Sequence, residues 1–154
     1  MSTVVVVGSG AVGMQYGSRL LEAELFGKAI TSTTHFLMRS DYERVERNGW
    51  LLKSHDGDRL FSPDLIRGRI HRKTSTLPVQ VDWIICALKS YSLLRHADEI
   101  KAIMDPLIGP QTRVLALMNG LDCEEAIINW YGAESVFGGM VRFSYARLAD
   151  AREF

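Results

Sequence analysis

Residues Val4 to Gly13 read Val-Val-Val-Val-Gly-Ser-Gly-Ala-Val-Gly, a buried strand running directly into a glycine turn that opens a helix. Four β-branched residues in succession suit a strand covered on both faces, the condition of a parallel sheet. Gly8, Gly10 and Gly13 then stand at the spacing of a dinucleotide-binding turn. Each glycine has its own reason. Gly8 lets the chain turn tightly, Gly10 presents no Cβ to an approaching diphosphate, and Gly13 lets the helix pack close on the strand. The phosphates would meet unpaired backbone N–H groups at the helix start. A helical pattern follows, with Met14, Gly17, Leu20, Leu21 and Leu25 on or near one face. The competing reading is a glycine turn that binds nothing. The strand before it and the amphipathic helix after it favour nucleotide binding.

The rest of the composition narrows the class. With 154 residues and 47% hydrophobic content, the chain can bury one good core, so a single domain over 1–154 is expected. Acidic and basic residues balance at 18 each, which gives no basic excess for nucleic acid. Only Met1, Ser2 and Thr3 precede the strand, and no apolar run is long enough to cross a membrane, so a soluble cytoplasmic protein is expected. Cys86 lies in an apolar strand-like run and Cys123 near a helix start, without metal or redox-pair spacing; both read as reduced structural residues. The four histidines, His35, His55, His71 and His96, show no paired spacing for a metal.

The first helix should fade near Phe26-Gly27, and a second strand is expected around His35 to Met38, parallel to the first. Ser40 and Glu43 have the spacing of a capping box for a helix through Tyr42 to Arg47, ending at Asn48-Gly49. Two apolar runs about His55-Asp56-Gly57-Asp58 predict a hairpin. Ile66 and Ile70 fit an edge strand, and Arg67, Arg69, Arg72 and Lys73 form a basic stretch that reads as a solvated surface. Asp82 to Leu88 is the clearest strand after the first, followed by one helix from about Ser92 to Met104 that closes before Pro106. Thr112 to Met118 is another buried strand. A helix from near Asp122 to Tyr131 follows, with Asp122 and Glu125 spaced as a second capping box, and then a last apolar strand from Val136 to Tyr145. The expected class is therefore α/β, a Rossmann-type, doubly wound, mostly parallel sheet.

Such sheets bind ligands outside the carboxyl ends of their strands, where Gly8, Arg39, Lys89 and Asn119 all fall. An arginine at the end of the second strand fits a ribose 2′-phosphate through its forked, charged donors, whereas NAD-binding versions place a carboxylate there. NADP is therefore preferred over NAD. The alternatives are an ordinary solvated cation at Arg39, with Asp41 as a ribose partner two residues late. Lys89 could set a cation beside cofactor or substrate carboxylate, and Asn119 offers a donor and an acceptor near the nicotinamide. Taken singly, Lys89 reads as a solvated lysine and Asn119-Gly120 as a turn.

Gly8-Ser9-Gly10-Ala11-Val12-Gly13, the arginine closing the second strand, Ala87-Leu88-Lys89, Met118-Asn119-Gly120-Leu121-Asp122-Cys123-Glu124-Glu125 and Val136-Phe137-Gly138-Gly139 together resemble the N-terminal half of the ketopantoate reductase (2-dehydropantoate 2-reductase) family. The resemblance implies an NADPH-dependent reduction of 2-dehydropantoate, or a similar 2-keto acid, to pantoate for pantothenate and coenzyme A. It implies that Gly8, Ser9, Gly10, Ala11, Val12 and Gly13 hold the pyrophosphate, that Arg39 meets the 2′-phosphate, and that Lys89 and Asn119 lie beside cofactor and substrate. Family members continue into a helical domain carrying the general-acid lysine and most substrate contacts. No residue here matches that lysine, so the resemblance implies a cofactor-binding half with little or no turnover alone, and the missing domain or a second copy as partner. The alternative is a stand-alone, non-catalytic NADP-binding regulatory module; a methyltransferase-type fold is weaker because it favours an acid where Arg39 stands. The interval from Gly13 to Arg39 exceeds the roughly 20 residues usual between glycines and ribose-reading position.

Overall fold

In the computed structural model, residues 2–27, 32–78 and 80–142 are described. The chain order is β1 (Ser2–Val7), α1 (Ala11–Leu25), β2 (Ser32–Leu37), α2 (Tyr42–Asn48), β3 (Trp50–Leu52), β4 (Arg59–Phe61), β5 (Ile70–His71), β6 (Trp83–Cys86), α3 (Ser90–Arg95), α4 (Ala97–Met104), β7 (Arg113–Leu117), α5 (Glu125–Tyr131) and β8 (Val136–Gly139). Six strands form one sheet in the order β5-β2-β1-β6-β7-β8. Every pairing in it is parallel. The order reverses at β1, so the crevice between the β1 and β6 connections is the switch point where such sheets take ligands. This is the Rossmann-like α/β architecture.

The valine run is explained by the two layers. Val4 and Val6 face a core with Met14, Leu21, Phe36, Trp50 and Phe61, while Val5 and Val7 face another with Ile84, Leu93, Ile100, Met104, Val114 and Ile127. A strand with helices on both sides has no solvent face on which to alternate polar residues. Helix α1 sits close because two of its residues lack side chains. A Cβ on Gly13 would stand 2.0 Å from the Gly8 carbonyl oxygen, and one on Gly17 would stand 2.4 Å from the Phe36 ring.

The predicted hairpin forms: β3 and β4 pair antiparallel, with Trp50 opposite Phe61. It folds over α1. The Trp50 indole N–H donates to Ser18 Oγ at 2.9 Å, its ring stacks on Phe61 with centroids 5.0 Å apart, and Arg59 bonds Glu22 at 2.8 Å. Three of the four cations in the basic stretch are paired: Arg67 with Asp64, Arg69 with Glu24 and Arg72 with Glu43.

At the sheet's edge, His35 Nδ1 lies 2.9 Å from His71 Nε2, and His71 Nδ1 lies 3.0 Å from Thr76 Oγ1. The Thr76 hydroxyl donates to the Lys73 carbonyl at 2.9 Å, so its oxygen accepts from His71. His71 Nε2 is then the acceptor and His35 Nδ1 the donor, and both imidazoles are neutral.

Several expected boundaries are corrected. Strand β2 begins at Ser32, ahead of the expected His35, because Ser32, Thr33 and Thr34 pair with Ser2, Thr3 and Val4 of β1. The long interval between Gly13 and Arg39 leaves the register at the sheet edge intact, with Val7 paired to Leu37. The single helix expected over 92–104 is two, because His96 (φ −134°, ψ 34°) ends α3 and starts α4. Neither capping box forms. Asp41 is the cap residue of α2 with backbone near the helical region and no side-chain cap bond, and its carboxylate turns instead to Arg44. Asp122 takes a left-handed φ of 57°, and α5 starts later, after Glu124. Strand β8 stops at Gly139, where its partner β7 ends at Leu117; the expected continuation from 143 lies outside the described residues.

Candidate functional site

Strand β1 delivers the chain to the sheet's carboxyl edge at Gly8, whose φ of 101° only glycine adopts without strain. A Cβ there would also meet the Ala87 backbone at 2.8 Å, so the turn after β1 and the end of β6 pack against each other through bare backbone. Gly10 differs. Its φ of −79° suits any residue, and nothing lies within 4 Å of where its Cβ would stand. No internal contact requires glycine at that position. Gly10 is the cap residue of α1 and its carbonyl accepts the first helical bond from the Met14 N–H at 2.9 Å, with no side chain capping the first turn. The N–H groups of that turn accordingly point at open space on a fifteen-residue helix.

A cavity of about 370 Å³ opens here. Gly8, Ser9, Gly10, Ala11 and Val12 line one side, Arg39, Ser40 and Asp41 the corner beyond β2, Lys89, Ser90 and Ser92 the start of α3, and Met118 and Asn119 the end of β7. Of the residues singled out in the sequence, the structure brings together Gly8, Ser9, Gly10, Ala11, Val12, Arg39, Lys89 and Asn119. Gly13 is buried behind them, set against the Gly8 carbonyl. Arg39, Lys89 and Asn119 are exposed. Among the described residues, no ion pair is made by Arg39 or Lys89, so both cations are available to an anion. Asp41, 9% exposed, adds a carboxylate at the same corner, 3.5 Å from Arg44.

Ser90 and Ser92 are new to the site. Their signal was the strand end at Leu88-Lys89, since the first turn of the helix that follows such a strand faces the same crevice. The far wall is apolar, with Ile100, Ile103, Leu117 and Val141. Cavities with an apolar lining and a few convergent polar groups are the usual form of small-molecule sites.

The donor set fits a dinucleotide coenzyme. Gly10 leaves a cradle that a Cβ would fill, the first turn of α1 offers uncapped N–H groups, and Arg39 and Lys89 set a cation at the β2 and β6 ends of the groove, beside the Asp41 carboxylate at the first. The nearby thiols do not offer a nucleophile. Burial pushes Cys86 up to about 11, and burial with the adjacent Glu124 carboxylate raises Cys123. Among the described residues no cluster of His, Cys, Asp or Glu could hold a metal, and no helix is long and apolar enough to cross a membrane.

Known proteins agree with this arrangement. Over 135 residues the chain is 32% identical to a 2-dehydropantoate 2-reductase of Nostoc sp., covering 88% of this chain and 37% of that protein. The crystal structure of 2-dehydropantoate 2-reductase from Geobacter metallireducens superposes with a TM-score of 0.77 at 30% identity, covering 98% of this chain and 44% of that one. The corresponding structure from Porphyromonas gingivalis has the same fold, with a TM-score of 0.80 at 23% identity over 99% of this chain and 50% of that one. The chain thus spans from about a third to half of the length of these relatives. The family model described as ketopantoate reductase PanE/ApbA matches residues 4–152, and the chain belongs to that family.

Proposed function

We propose that this chain binds NADPH along the carboxyl edge of its sheet and forms the coenzyme half of a cytoplasmic reductase that converts 2-dehydropantoate, or a similar 2-keto acid, to pantoate. The observation that carries the reading is the convergence of Gly8, Gly10, Arg39, Lys89 and Asn119, which come from four separate strand ends, on one cavity. NADPH, when bound, supplies the hydride.

Each residue then has a distinct task. The turn from Gly8 to Val12 offers backbone N–H donors to the diphosphate, with Gly10 leaving room for its approach and Gly13 holding α1 in place. Arg39 offers two parallel N–H donors to the 2′-phosphate. The Lys89 ammonium draws the substrate carboxylate or the coenzyme phosphates toward the β6 end. The Asn119 amide fixes the nicotinamide or keto acid from the β7 end, donating through Nδ2 and accepting through Oδ1.

Those residues bind and orient. Reduction of a keto group also needs a placed proton donor, worth about 10²–10⁴ in rate, so the 154 residues alone are expected to turn over little keto acid. The relatives' greater length supports a further unit over the cavity, in the same polypeptide or from another copy. Leu94 and Leu121, 87% and 91% exposed on the connections leaving this edge, suit such a contact.

Calorimetric titration tests the coenzyme reading. NADPH should bind about tenfold more tightly than NADH, and Arg39→Gln should bring the two level by weakening NADPH alone. Binding of neither coenzyme would overturn it.

A further inference from the structure

Arg39 and Ser40 leave the end of β2 together, both exposed, and both line the cavity. A serine just ahead of a helix is ordinarily spent on capping it, because its hydroxyl satisfies a free N–H of the first turn. Ser40 is not spent in this way. Helix α2 takes Asp41 as its cap residue without a side-chain cap bond, and Glu43, the capping-box partner expected from the spacing, pairs with Arg72. Among the described residues no group hydrogen-bonds the Ser40 hydroxyl, so it stands in the crevice beside Arg39 with its proton uncommitted.

We infer that Ser40 is a second coenzyme-selecting residue of this site, its hydroxyl donating to the ribose 2′-phosphate that Arg39 holds. The inference rests on the coenzyme reading above. A guanidinium fork occupies two oxygens of a phosphate and leaves acceptor positions that need further donors. A hydroxyl on the adjoining residue, with its Cα about 3.8 Å along the chain, reaches the same group. The discrimination comes from charge. An O–H bond to a phosphate oxygen is charge-assisted and roughly twice as strong as the neutral bond that the same hydroxyl makes with a ribose 2′-hydroxyl. Ser40 therefore favours NADPH without excluding NADH. Its exposure means that truncating it leaves the core untouched, so the effect is read in binding.

The test is equilibrium titration of NADPH and NADH against the 154-residue chain, with a thermal melt of each variant. Ser40→Ala should weaken NADPH about fivefold and NADH by less than about twofold, at an unchanged melting temperature. Ser40→Thr keeps the hydroxyl and should hold NADPH within about twofold of the unsubstituted chain. Ser40→Asp sets a carboxylate against the phosphate and should turn the preference toward NADH. Equal loss of both coenzymes in Ser40→Ala, with a lowered melting temperature, would overturn the inference in favour of a structural role at the start of α2. Unchanged selectivity in Ser40→Ala, while Arg39→Gln removes it, would overturn the inference and leave the phosphate with Arg39 alone. If Arg39→Gln leaves selectivity unchanged, or the unsubstituted chain binds neither coenzyme, the coenzyme reading itself fails and the inference falls with it.

Discussion

At the β1 end of the cavity the chain meets a ligand with backbone, whereas at the β2 end it presents charged side chains. The glycine turn is fixed from within: Gly8 and Gly13 are demanded by atoms of this protein at 2.8 and 2.0 Å, and only Gly10 faces open space. The β2 corner is built from side chains instead, with Arg39 and Ser40 exposed and the Asp41 carboxylate 3.5 Å from Arg44. A backbone site holds the group common to many coenzymes and tolerates almost no substitution. A side-chain site chooses among coenzymes, and single substitutions retune it.

That contrast can be broken most sharply at Gly13. Gly13→Ala places a methyl against the Gly8 carbonyl and should cost about 3 kcal/mol in urea-induced unfolding, abolishing coenzyme binding with it. Unchanged stability would mean that the turn is not held by its own packing.

The β2–β5 edge of the sheet should yield to acid instead. Burial chiefly, with the neighbouring His71 and Arg69 charges, holds His35 down at about 4 from 6.5, and burial lowers His71 in the same direction. The unfolded chain therefore binds protons that the folded chain refuses. Stability is full above about pH 6.5 and is lost as the pH falls toward 4, by on the order of 2 kcal/mol. Unfolding midpoints measured between those limits should fall with pH, and His35→Leu should flatten the slope.

The smallest effect sharpens the comparison within the turn itself. Gly10→Ala should change stability by no more than about 0.5 kcal/mol, since its Cβ meets nothing, yet weaken NADPH by about tenfold in the same titration. An alanine that leaves binding intact would remove the diphosphate from the first turn of α1.

How much of this could be read in the residues depended on how far apart in the chain the causes lay. Strand β1, the glycine turn, helix α1, the hairpin and the strand-end positions of Arg39, Lys89 and Asn119 are written in local pattern, because each period or turn is set by neighbours. The His35–His71 pair was invisible because its members are 36 positions apart and meet only through the parallel β2–β5 pairing, in which Leu37 lies beside His71. The capping boxes at Ser40 and Asp122 failed for a related reason. The cap position of α2 fell on Asp41, one residue past Ser40, and the turn after Asn119 left Asp122 with a left-handed backbone. The break at His96 had no signal, since its neighbours continue an unbroken apolar period.

Trp50 gives the molecule an optical reporter of its own. Its indole is fully enclosed, stacked on Phe61, edge-on to Phe36 at 5.2 Å, and tethered to the middle of α1 through Ser18. Trp50 does not line the cavity, but the helix it is bonded to begins there. Trp83 and Trp130 lie elsewhere in the chain, so replacing both with phenylalanine would leave the hairpin indole as the one emitter against which a movement of α1 could be followed without a label.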